Sequence, residues 1–215
     1  LTVTGGALTS TDAGEHVVSW LGTVTASPVA ISGSSVASTA TTGAGNGLHF
    51  AAAVTAAVSF ASGTVITSGG SAIRFNADMS GDVSLTNVAS TAASTGRALG
   101  FATLTGSKVT IEGGSLANPT GAGAAILATG VVDAASSITI RGATLSAPTS
   151  LAKALDLQGT VSGPVIISDT TATSASDALC FADLQAALTL TNVVATASLS
   201  DHGLQLTAVL GATIV

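Results

Sequence analysis

The feature that most limits what this chain can fold into is a short alternating strand that keeps returning. It reads LTV at Leu1, VAI at Val29, VSF at Val58, VSL at Val83, VTI at Val109, ITI at Ile138, VII at Val165, LTL at Leu188 and ATI at Ala212, at intervals of 23 to 29 residues. A repeat of this length is one supersecondary unit that cannot bury its own apolar face, so neighbouring units must stack to make a core. The period is irregular, and loops absorb the difference.

A second triplet follows in each unit: Val18-Ser19-Trp20, Leu48-His49-Phe50, Ile73-Arg74-Phe75, Leu99-Gly100-Phe101, Ile126-Leu127-Ala128, Leu155-Asp156-Leu157, Leu179-Cys180-Phe181 and Leu204-Gln205-Leu206. Side chains alternate along a strand, so the outer two residues of each triplet are expected inside and the middle one outside. A third apolar position comes a few residues later, at Val24, Val54, Met79, Leu104, Val131, Val161, Leu184 and Val209. Two positions beyond the first strand's last inward residue, the chain has Gly5, Gly33, Ser62, Asn87, Gly113, Gly142, Asp169 and Asn192. Gly, Asn and Asp tolerate a left-handed backbone, so this column predicts a sharp bend at one place in every unit.

The richness in Thr, Val, Ile and Gly opposes long helices. An immunoglobulin-like sandwich could hold as many short strands, but it would not place like residues in one register eight times over. The repeat grammar resembles that of right-handed parallel β-helices of the pectin-lyase-like kind, as found in extracellular surface and adhesin proteins. The resemblance implies two- or three-stranded coils, inward aliphatic and aromatic ladders, a tight Asn or Gly bend, and the right-handed sense. The expected fold is therefore all-β, a single parallel β-helix (β-solenoid) domain over 1–215 with about eight coils. Its ends are expected to be uncapped, because strand patterns start at Leu1 and run to Val215 with no covering helix or charged segment.

Composition narrows function. Charged residues are 7% of the chain, against about 25% in an ordinary soluble domain. With a mean hydropathy of +0.66, the chain is too apolar for disorder. The net charge is −6, and the basic residues Arg74, Arg97, Lys108, Arg141 and Lys153 are scattered, which disfavours nucleic acid as a partner. No uninterrupted apolar run is long enough for a transmembrane segment. Cys180 is the single cysteine, so an internal disulfide is impossible. The absence of an initiator Met and of a basic-then-apolar leader suggests a mature, processed or excised segment, and an extracellular or cell-surface location is expected.

The outward columns are where chemistry would lie. On the first strand they are rich in hydroxyls, including Thr110, Thr139, Thr189 and Thr191, a flat face suited to ice, to an ordered polymer, or simply to solvent. Glu112 and Arg141 interrupt it and are expected to form a cross-strand ion pair. In the second triplets, His49 and Arg74 fall on adjacent coils with Asp78 nearby, a group that could bind an acidic sugar or move a proton. Just before those triplets, Lys153, Asp177 and His202 align beside Asp201, and Asp177 with His202 forms a candidate acid/base pair.

The polysaccharide-cleaving members of the resembled family imply paired aspartates, Gly-His-Gly and Arg-x-Lys elements, or clustered acidic calcium ligands. None of these occurs in this sequence. No cofactor or metal is expected, since one Cys and three dispersed His do not make a metal-ligand motif. Cys180 is expected to face outward, as a small filler or as half of an intermolecular bond. The expected function is non-enzymatic: a self-associating solenoid in an extracellular filament, sheath, surface layer or stalk, partnered by its own copies or by adjoining coils of a longer chain. Glycan or surface binding of the adhesin kind is the alternative; a polysaccharide lyase or hydrolase and an ice-binding protein are further possibilities.

Overall fold

The computed structural model describes residues 1–12, 14–25, 27–39, 45–149, 151–199 and 201–210. It is all-β, a parallel solenoid of about seven turns with a period of about 27 residues. One coil shows the plan. Val83–Thr86 lies in a first sheet (A), Ala89–Thr91 in a second (B) and Leu99–Phe101 in a third (C), and each strand pairs in parallel with its counterparts in the coils before and after. Among the described residues each sheet contains eight strands: Thr2–Thr4 through Leu188–Thr191 in A, Ala7–Ser10 through Val194–Ala197 in B, and Val18–Trp20 through Leu204–Leu206 in C. The pattern at 212–214 lies outside the described residues.

The bend between A and B forms as the sequence predicts. All eight members of the Gly5, Gly33, Ser62, Asn87, Gly113, Gly142, Asp169, Asn192 column have φ between 50° and 65°. The chain turns there without a loop because a single left-handed residue redirects it. Asn192 Nδ2 also donates to Asp169 Oδ1 across the coil step at 3.0 Å. Ser62 is the exception in chemistry, since it occupies left-handed space without the local bonding that favours Asn and Asp. Ser62→Gly is expected to raise the unfolding free energy by about 0.5–1 kcal/mol, measured by urea denaturation.

Sheet B does not stand out in the sequence. Its inward column is Leu8, Val36, Val65, Ser90, Leu116, Leu145, Ala172 and Ala195, which mixes apolar and small polar residues. The hydroxyls are accommodated by main-chain acceptors. Ser90 Oγ donates to Ala98 O at 2.7 Å, and Thr67 Oγ1, next along the face, donates to Gly70 O at 2.6 Å. A buried hydroxyl so bonded carries little desolvation penalty, so the hydropathy alternation fades while the strand persists.

The core is a set of ladders. Trp20, Phe50, Phe75 and Phe101 stack in sheet C with ring centroids 4.3, 4.5 and 5.4 Å apart. A second ladder, built mostly of single bridges, joins Val24, Val54, Met79, Leu104, Val132 and Val161, and continues through Leu184 to Val209. The expected member Val131 is displaced by its neighbour: Val131 is 44% exposed and Val132 is fully buried. Two valines in a row left the inward one ambiguous, and the bridge register decides it. Glu112 and Arg141 are register partners as expected. They do not close an ion pair, because the described charge pairs within 4.0 Å are Lys153 with Asp156 and Asp177 with His202. On an exposed flank such a contact gains under about 1 kcal/mol before side-chain entropy opposes it.

Candidate functional site: the outer face of sheet C

Two parallel columns bring most of the chemistry of this chain together. The middle residues of the sheet C triplets form one: Ser19, His49, Arg74, Gly100, Leu127, Asp156, Cys180 and Gln205. The other lies two residues before each strand and includes His16, Asn46, Arg97, Lys153, Asp177 and His202. All three histidines and three of the five basic residues of the chain sit on this face. The middle column was expected to be exposed. It faces outward but is largely covered: His49 and Asp156 are 7% exposed, Leu127 5% and Cys180 4%. Long side chains from the preceding column lie across it.

At the first three coils a hydrogen-bonded relay crosses the strands. Arg74 Nε donates to Asn76 Oδ1, Asn76 Nδ2 lies 2.8 Å from His49 Nε2, and His49 Nδ1 lies 3.2 Å from Ser19 Oγ. The chain of donors requires His49 to accept at Nε2 and carry its proton on Nδ1. His16 stands against it with ring centroids 4.0 Å apart, and its Nδ1 accepts the Asn46 main-chain N–H at 2.9 Å. Asn46, itself buried, accepts from Ser71 N at 2.9 Å, so one amide ties three coils. Asp78, expected beside Arg74, takes no part in these bonds; Asn76 occupies the role.

Burial pulls both histidines below the usual value of 6.5, with His16 and Arg74 adding to the effect on His49 and Arg74 on His16 against an opposing pull from Glu15. A depressed histidine binds fewer protons folded than unfolded, so stability is full above about 6.5 and falls as pH drops below it toward the folded values. Wild-type melting temperature is therefore expected to fall between pH 7.5 and 5. His49→Gln should shrink that fall in a thermal-melt series, whereas an unchanged slope would place the titration elsewhere.

Further along, Lys153 Nζ lies 3.3 Å from Asp156 Oδ1 and 3.1 Å from Cys180 Sγ, and the thiol donates to Gln205 Oε1 at 3.1 Å. Burial opposes the Lys153 charge, yet Cys180 and Asp156 hold its ammonium above the ordinary value. Burial pushes the Cys180 thiol up despite Lys153. A neutral, covered thiol is not poised for an intermolecular disulfide, so Cys180 fills a packed polar cluster.

Asp177 and His202 do meet. His202 Nδ1 and its main-chain N both lie 3.2 Å from Asp177 Oδ1, with Asp177 buried and the His202 side chain 67% exposed. Their double contact pins the turn that leads into Leu204–Leu206. Lys153 aligns with them but turns to Asp156 instead. On sheet A, Thr110 and Thr139 are register partners, Ile166 separates them from Thr189, and Thr191 lies in the flanking column beside Ser168. The hydroxyl face is thus interrupted.

The residue that the sequence reading missed is Arg97. Its Nε is buried without a partner among the described residues, and it lines a notch with Arg74, Asn76, Gly100, Leu127 and Thr129. The available signal was its offset, two residues before Leu99, the same as that of Lys153 before Leu155.

Fold and face together define a parallel β-solenoid with a polar, hydrogen-bonded outer sheet. No family model, curated protein or solved structure matches the chain.

Proposed function

We propose that this protein is a non-enzymatic structural β-solenoid that associates with copies of itself or with adjoining coils of a longer chain. In this role it builds an extracellular or cell-surface filament, sheath, surface layer or stalk. The observation that carries this reading is the repeated step of the stack: the strands of three sheets pair in parallel from coil to coil, and each coil buries its apolar rungs only against its neighbours. A further coil stacked on this plan would meet the same strand edges and apolar rungs that each interior coil meets.

The occupant that fits is a coil of the same three-sided cross-section. All coils run in one direction, so adding one repeats the internal step and gives an open, head-to-tail rod instead of a closed dimer. The low charge of the surface offers little repulsion against such contacts. An open stack of this kind is in keeping with the resemblance to pectin-lyase-like parallel β-helices. Sedimentation velocity from micromolar to millimolar concentration at neutral pH is expected to show mass rising with concentration, and Trp20→Lys should suppress the rise. A monomer at every concentration would overturn the reading.

A second reading, attachment to a glycan or other surface, is favoured by the His49–Asn76–Arg74 relay, which fixes a guanidinium in place on the outer face. Binding on a glycan array that disappears in Arg74→Ala would support it over the structural role.

A further inference from the structure

We propose that the notch between Arg74 and Arg97 is a binding site for a small organic carboxylate. Two adjacent coils each send a guanidinium to this place. No carboxylate lies within 4.0 Å of either one among the described residues. Arg97 has surrendered solvent at Nε without gaining a hydrogen bond. Burial and the like charge of Arg74 both pull it below its usual value, with only Asp156 opposing from further along the column. A partly desolvated cation beside another cation is an unfavourable arrangement that an anion between them would reverse.

The geometry also fixes the kind of anion. Arg74 is held by Asn76, which His49 holds in turn, so its guanidinium plane is set before a ligand arrives. A planar, bidentate acceptor suits such a preset fork. Gly100 creates the space: every other triplet of sheet C has a side chain at this outward position. A Cβ at Gly100 would meet nothing nearer than Arg97 Cδ at 3.8 Å, so the glycine is not demanded by packing. Leu127 and Ala102 form an apolar wall beside the charges. A carboxylate with a short hydrocarbon body satisfies both surfaces, whereas inorganic phosphate would leave the wall unmatched. The inference is independent of whether the coils polymerise.

The test is a titration of the ¹⁵N-labelled full chain with sodium propionate, sodium phosphate and sodium chloride at matched ionic strength, read at the Arg74 and Arg97 Nε–H resonances. Propionate is expected to give saturable shifts at least about ten-fold tighter than phosphate, and chloride a non-saturable drift. Arg97→Gln should abolish the saturable response. Gly100→Leu, which fills the notch while retaining both arginines, should abolish it too in a chain whose melting temperature is not lowered. Equal responses to propionate and chloride, phosphate binding as tight as propionate, or an unchanged curve in folded Gly100→Leu would each overturn the assignment.

Discussion

Phe75→Ala is expected to lower the unfolding free energy by about 3–5 kcal/mol, among the largest single-residue losses in the molecule, measured by urea denaturation. Phe75 is 2% exposed and lies between two other rings, with centroids at 4.5 Å to Phe50 and 5.4 Å to Phe101. Removing it forfeits apolar burial and two stacking contacts, and leaves a cavity that rigid sheets on three sides cannot collapse to fill. Trp20→Ala removes a bigger ring but from the half-buried end of the same stack, so its loss should be smaller. Equal losses at both positions would contradict the ladder account of the core.

Gly121→Ala is expected to be nearly as damaging, at about 3 kcal/mol in the same assay. A Cβ there would sit 1.3 Å from Ser94 O, a main-chain atom of the previous coil that no side-chain rotation can move. The loop is also fastened on both sides. Gly121 N donates to Asn118 Oδ1 at 2.9 Å, Asn118 Nδ2 donates to Gly96 O at 2.6 Å, and Thr149 Oγ1 donates to Gly121 O. Relieving the clash means separating two coils and breaking those bonds together. Gly100→Ala is the matched control and should be tolerated, since nothing there approaches closer than 3.8 Å.

The solenoid was legible because its two strongest signals are strictly local. The strand of sheet A and the triplet of sheet C alternate within three or four residues, and the left-handed bend falls two residues after each inward apolar position. Sheet B was not legible because Ser90, Ala172 and Ala195 occupy its inward column, and hydropathy cannot distinguish a bonded buried serine from a solvated one. The pairing of Asp177 with His202 could be read from register alone. Register also suggested Glu112 with Arg141, yet those side chains stay apart, since alignment brings Cα atoms together without fixing two flexible exposed chains. The outer face of sheet C was read as open because alternation assigns a direction and says nothing of what lies above. His16 stands against His49, and Lys153 reaches across to Asp156 and Cys180, and that cover turns His49 and Cys180 into buried groups.

The same cover bears on function. In the proposed filament, a face whose polar groups are bonded across coils would hold the stack together along its length. On that proposal each added coil would bury its apolar rung against the one before, and at about 25 cal/mol per Å² of apolar area that burial would favour growth along the stack over contact at the sides.

The most direct test is cryo-electron microscopy of the protein at millimolar concentration. The account predicts rods joined end to end, with the strand spacing of about 4.8 Å running unbroken through each junction and an axial rise per molecule of roughly 40 Å, set by eight stacked strands. Discrete particles of one length at every concentration, or assemblies joined through their sides with both ends free, would contradict it.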